Sequence, residues 1–152
     1  MVTITFSSDS QFDLPGYGTP DVNAQNEGNL RQAYFLREIC VNVDGIQILH
    51  DKSYPLLDLL FTLLHSLKEV RETGHGTIDF VDSSKLIHVE RNGQRLKFST
   101  SPLVRTVECG HTEYAEAVHA FVEAGVADLT RNHPGLQSHP ALPKLRGLLA
   151  EC

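Results

Sequence analysis

The stretch 54-YPLLDLLFTLLHSLKEVRETG-74 decides how the rest of the chain folds. Leu56, Leu60, Leu63, Leu67 and Val70 recur at helical spacing on one face. Leu57, Leu59, Phe61 and Leu64 widen that face until little more than Asp58, Thr62, His65 and Glu69 is left for water. The pattern predicts a core helix around which everything else packs. Ser53 is placed to cap its start, Pro55 suits the first turn, and Gly74 follows the last basic turn as a stop. At roughly 1.5–3 kcal/mol per fully buried large apolar side chain, the nine residues represent on the order of 15–25 kcal/mol of gross driving force. Asp58 and His65 interrupt the run, which is too short to span a bilayer.

On its N-terminal side lies 39-ICVNVDGIQIL-49, whose Asp44-Gly45 pair predicts a two-residue hairpin turn. That turn sets Val43 opposite Ile46 and Val41 opposite Ile48, with all four on one face under the helix. Cys40 alternates with Ile39 and Val41 and is expected to be a small core residue. Further back, residues 7–29 are rich in Ser, Asp, Asn, Gly and Pro, include LPGYGTP, and predict a long polar loop. Before it, Val2, Ile4 and Phe6 alternate with Thr3 and Thr5 as a half-buried strand.

On the C-terminal side, Ile78 and Phe80 begin a strand, and Asn92-Gly93 predicts a second hairpin. Its expected register pairs Val89 with Leu96 and Ile87 with Phe98. The wet face then sets His88 opposite Lys97 and Glu90 opposite Arg95. Leu103 to Val107 adds an edge strand. From near Thr112, Tyr114, Val118, Phe121, Val122, Gly125 and Leu129 keep the spacing of an amphipathic helix. Gly125 there costs about 1 kcal/mol against Ala unless something packs close to it. Pro134-Gly135 ends the helix, and Ser138-His139-Pro140 opens a short one carrying Leu142, Leu145, Leu148 and Leu149 inward. The expected fold is α+β: one mostly antiparallel sheet of about five to six strands, with the Leu-rich helix and two C-terminal helices on one face.

The 152 residues suit a single domain, and 41% hydrophobic with 21% charged residues is ordinary for a globular protein. A net charge of −6 argues against a general nucleic-acid binder. The acid is uneven. No Lys or Arg precedes Arg31, where Asp9, Asp13, Asp21 and Glu27 occur. None lies between Thr106 and Thr130 either, against Glu108, Glu113, Glu116, Glu123 and Asp128. The three cysteines are odd in number and unpatterned, and no leader-like start is present, so a cytoplasmic protein with reduced thiols is expected.

Eight histidines raise the question of a metal. Cys109-Gly110-His111 with His119 lacks the paired short spacings of a structural zinc site, and the single Glu116-x-x-His119 is half of what a di-iron bundle needs. No metal and no cofactor is expected. Cys109 beside His111 is the better candidate nucleophile, because a neighbouring imidazole raises the thiolate fraction. A small Cys/His enzyme is therefore the alternative function. Asp58 shares its helix face with Thr62 and His65 and reads as part of a solvated stripe. The glycines lack a phosphate-loop context. A third possibility is self-association through a sheet edge or the Leu142 to Leu149 helix.

In layout the chain resembles the small α+β immunity proteins of bacterial polymorphic-toxin systems. The likeness rests on ICVNVDGIQIL running into YPLLDLLFTLLHSL, then IDFVDSSKLIHVERNGQRLKFS, then an acidic helix, across about residues 34 to 130. The resemblance implies a non-enzymatic inhibitor that binds a cognate toxin domain. Toxins that attack nucleic acid are usually basic, and an acidic inhibitor gains steered association with them. The expected contact residues are Glu113, Glu116 and Glu123, joined by Asp13, Asp21 and Glu27 of the loop.

Overall fold

The computed structural model describes residues 1–15, 21–80, 84–102 and 104–152. Strand β1 (Val2–Phe6) is followed by a 3-10 turn at Val22–Ala24, helix α1 (Glu27–Ala33), strands β2 (Leu36–Val43) and β3 (Ile46–Pro55) and helix α2 (Leu56–Thr73). Then come β4 (His75–Asp79), β5 (Leu86–Asn92), β6 (Arg95–Ser101), β7 (Thr106–Gly110), α3 (His111–Asn132), a second 3-10 turn at Pro134–Ser138 and α4 (Ala141–Glu151). The class is α+β, as expected, but the strands form two antiparallel sheets instead of one, ordered β1-β2-β3 and β4-β5-β6-β7. Helix α2 packs against strands of both sheets and against α1, α3 and α4. A helix with apolar residues around most of its girth needs cover from several sides, which one sheet cannot provide.

All nine large apolar residues of α2 are buried. Gly74 ends the helix in the left-handed region (φ 81°), its N–H donating to the Val70 carbonyl at 2.8 Å. The start differs from expectation. Strand β3 runs straight into α2, Ser53 makes no cap, and the Leu56 N–H donates to the Phe35 carbonyl at 2.9 Å. Phe35 itself, fully buried, holds φ at 60°, a strained value for an aromatic residue that the surrounding core imposes. Asp58 is not solvated. It is buried, accepting from Arg31 Nε at 2.8 Å and from the Tyr54 hydroxyl at 3.1 Å, while Arg31 lies 4.6 Å over the Phe61 ring.

The first hairpin turns at Asp44-Gly45 with both φ values positive (50° and 79°), and Val43 pairs with Ile46. An irregularity then shifts the register, so Val41 faces Leu49 and not Ile48. Leu49 is buried, Ile48 half-buried and Ile46 exposed; burial selects the larger core contact. Cys40 is half-exposed on the opposite face from Ile39 and Val41, where its thiol donates to Gln47 Oε1 at 3.4 Å. The second hairpin pairs Asn92 with Arg95, Val89 with Phe98 and Glu90 with Lys97, one residue per strand away from the expected register. Gly93 carries the positive φ (63°) and stands first in the turn, followed by Gln94 at negative φ; this is the type II′ solution, which needs glycine at that place. Faces survive the shift: Ile87, Val89, Leu96 and Phe98 are all buried. Edge strand β7 begins at Thr106; Leu103 lies outside the described residues.

Residues 16–20 of the polar segment 7–29 lie outside the described residues; elsewhere in it a 3-10 turn at Val22–Ala24 and the start of α1 stand where a loop is expected. Asn26 Oδ1 accepts from the Asn29 N–H at 2.8 Å and starts α1, which buries Leu30. Arg37, with a fully buried side chain, anchors the segment. Its Nε and Nη2 reach the two oxygens of Asp13 at 2.6 and 2.7 Å, its Nη1 reaches the Ser7 carbonyl at 2.9 Å, and Nη2 also meets Asp128 of α3 at 2.9 Å. His133 Nε2 lies 2.9 Å from the same Asp13 carboxylate. One guanidinium thus ties the N-terminal segment, β2 and the end of α3 together.

Candidate protein-binding surface

Helix α3 starts one residue earlier than expected and buries Tyr114, Val118, Phe121, Val122, Gly125 and Leu129. Gly125 has a reason to be glycine: a β-carbon there would stand 2.9 Å from Cδ2 of Leu60 on α2. Burying that stripe turns the opposite side outward as a crest carrying Glu116, Ala120 and Glu123, all exposed. A groove of about 420 Å³ on one flank lies between α3 and β1, lined by Ile4, Phe6, Ala117, Ala120, Phe121 and Ala124. A cleft of about 410 Å³ on the other flank is lined by His111, Glu116, His119, Glu123 and Cys152 among others.

The expected contact residues divide. Glu116 and Glu123 share the crest, and neither has an ion-pair partner among the described residues. Glu113 stands one turn earlier, 3.4 Å from the Met1 amine, which also pairs with Asp44. The loop acids do not join them. Asp13 is withdrawn from solvent into the Arg37 fork, so it cannot form part of an acidic surface. Asp21 Oδ1 accepts from the Asn23 N–H at 3.0 Å. Glu27 lies within ion-pair distance of both Arg31 and Lys144. Asp13 meets His133 directly and Asp128 only through Arg37, at the far end of α3, about 20 Å along the helix from Glu113. The β1 groove lies outside the sequence expectation; Ala117, Ala120 and Ala124, spaced three and four apart, are the signal in the chain that points to it.

Cys109 does not fit the alternative chemistry. It is buried on β7 beside Tyr114, and desolvation, with Glu113 and Asp44 adding, pushes its thiol up to about 11, opposite to what a nucleophile requires. His111 is half-buried and lines the α3 cleft instead. The Nε2 atoms of His111 and His119 are both out of solvent and without a hydrogen-bond partner. Among the described residues no group of three or more His, Cys, Asp or Glu side chains could hold a metal ion. The described residues also contain no helix long and apolar enough to cross a membrane.

Burial holds the His111 imidazole below its ordinary value, helped by Arg91 and Arg71. Partial desolvation does the same to His65, although that side chain stays exposed, helped by Arg31, Lys144 and Lys68 and opposed by Glu27. The folded protein therefore binds fewer protons than the unfolded chain just below the unfolded histidine value of about 6.5. Stability is present above that pH and is lost as pH falls from it toward the lower folded values. Urea midpoints measured from neutral to mildly acidic pH should fall, and His65→Gln/His111→Gln should flatten the fall.

A third cleft, of about 430 Å³, separates β3 from the second sheet and carries His50, Lys85 and Arg105. Lys85 Nζ donates to the His50 carbonyl at 3.4 Å and Arg105 Nη1 to the Gln47 carbonyl at 3.1 Å, so these cations cover carbonyls of β3. No family model matches the sequence, and no curated protein or solved structure is significantly similar to it.

Proposed function

We propose that the protein is a non-enzymatic binding module that holds a basic partner protein on the crest of α3, acting as an immunity-type inhibitor of a toxin domain. One observation carries the reading: Glu116 and Glu123 stand exposed two turns apart without a cation in reach among the described residues. They sit on a 22-residue helix that has no Lys or Arg before Arg131. Such a one-signed crest raises the encounter rate with a cationic protein and orients it before contact. Its flanks offer apolar area and small side chains, which a partner needs for affinity beyond steering. The free thiols of Cys40, Cys109 and Cys152 suit a cytoplasmic setting.

The test is affinity capture from the host lysate. The tagged protein should retain one stoichiometric basic partner at low salt and release it at high salt. Glu116→Lys/Glu123→Lys should slow association about tenfold at low salt, the gap closing at high salt. The captured protein, expressed alone, should arrest growth, and co-expression should relieve the arrest. Equal capture by the charge-reversed variant, or a partner without toxicity, overturns the proposal.

A further inference from the structure

The seam between the two sheets holds a cleft that the α3 crest does not use. Strand β3 is an edge of the first sheet. Instead of another strand it faces the paired ends of β5 and β6, where Leu86 stands opposite Ser101 and Ile87 opposite Thr100. The space left between them is about 430 Å³, within the range of small-molecule sites. Residues lining it include Leu49, Phe80 and Ile87, all buried, and Ile48 and Leu86, half-buried. Side chains alternate along a strand, so each neighbouring pair gives one side chain and one stretch of backbone to the wall. The wall is therefore apolar carbon interrupted by peptide groups.

Charge at the mouth has one sign. Lys85 and Arg105 are exposed there, and the described residues lining the cleft include no Asp or Glu, in a chain of net charge −6. The His50 imidazole is taken by Glu38 at 2.9 Å. Both cations are tethered to β3, Lys85 at the His50 carbonyl and Arg105 at that of Gln47. The Arg105 backbone is fixed as well, its N–H donating to Thr100 Oγ1 at 2.9 Å and its carbonyl accepting from the Thr100 N–H at 2.9 Å. The guanidinium keeps further N–H groups to offer, and it has no ion-pair partner among the described residues. A cation already held in place loses little freedom on meeting an anion. We propose that the cleft binds a small amphipathic monoanion, a carboxylate with an aliphatic body. Its head sits on Arg105 within the field of Lys85, and its body lies along the wall between β3 and β5. A cationic ligand would meet like charge, and an inorganic anion would leave the apolar wall uncovered.

Hexanoate is the probe, followed by amide chemical shifts of the isotope-labelled protein and compared with hexanol and hexylamine, which keep the chain and change the charge. Hexanoate should bind with a Kd on the order of 1 mM, shifting the amides of Ile48, Leu49, Leu86 and Ile87 and leaving those of α3 in place. Hexanol should bind at least about fivefold more weakly, and hexylamine, cationic at neutral pH, at least about tenfold. Arg105→Gln should weaken hexanoate at least about fivefold, with Arg105→Lys recovering part of the loss. A urea midpoint close to that of the wild type checks that the Gln variant is folded, and the comparison of the three ligands tests the wild type without any substitution. Shifts centred away from the cleft overturn the proposal, as does equal affinity for hexanol or hexylamine. Unchanged hexanoate binding by Arg105→Gln overturns it too, and so does the absence of saturable binding below about 20 mM.

Discussion

Arg37→Ala should lower the unfolding free energy by about 3–5 kcal/mol, a large part of the roughly 5–15 kcal/mol available to a domain. The side chain is fully buried, and so nearly are the two carboxylates it serves. Removal leaves Asp13 and Asp128 charged in the interior without the guanidinium that holds them and orphans the Ser7 carbonyl. Arg37→Lys keeps the charge but not the fork that meets both Asp13 oxygens, so it should recover only part of the loss. Urea unfolding checks both: the midpoint should fall in the order wild type, Lys, Ala with the slope unchanged. A midpoint in the Ala variant equal to that of the wild type would show that the cluster contributes nothing net.

Leu60→Ala should cost about 2–5 kcal/mol, because Leu60 is fully buried where α2 crosses α3. The same crossing makes Gly125→Ala unfavourable by about 1–3 kcal/mol, since the new methyl would stand 2.9 Å from Leu60 Cδ2. The two effects oppose each other in space. In the double variant the methyl added at position 125 enters the volume the leucine vacates, so the combined loss should be smaller than the sum by at least about 0.5 kcal/mol. Additive losses in a double-mutant cycle would mean that the two helices do not share this contact.

The parts of the fold legible in the sequence are those set by near neighbours. The periodicity of residues 56–70, the left-handed stop at Gly74 and the positive-φ turn at Asp44-Gly45 all depend on residues within a turn or two, and each appears as read. Misreadings arise where distant groups decide. Asp58 looks like part of a wet stripe until Arg31 and Tyr54 arrive on it, and Asp13 looks like surface acid until Arg37 takes it. The register slip past Val41 follows from burial of Leu49 against the core, which pairing rules for a two-residue turn do not contain. Two sheets form where the sequence suggests one, because strand patterns state which face is dry, not which strands share a ladder. At the candidate surface, the crest of Glu116 and Glu123 is legible from helical spacing alone. The groove beside it needs β1 and α3, opposite ends of the chain, to be placed side by side.

That placement carries a cost in chain entropy. Within each sheet, strands that follow one another pair with one another, so β2 with β3 and β4 through β7 join through short closures with little loss of chain entropy. The exception is β1, which reaches β2 across the whole polar segment and reaches α3 across most of the chain. Closing its ladder therefore costs more chain entropy than any other strand pairing in the two sheets. The groove flanking the proposed crest is thus built from widely separated parts of the chain, and a partner seated against it would also hold those parts together.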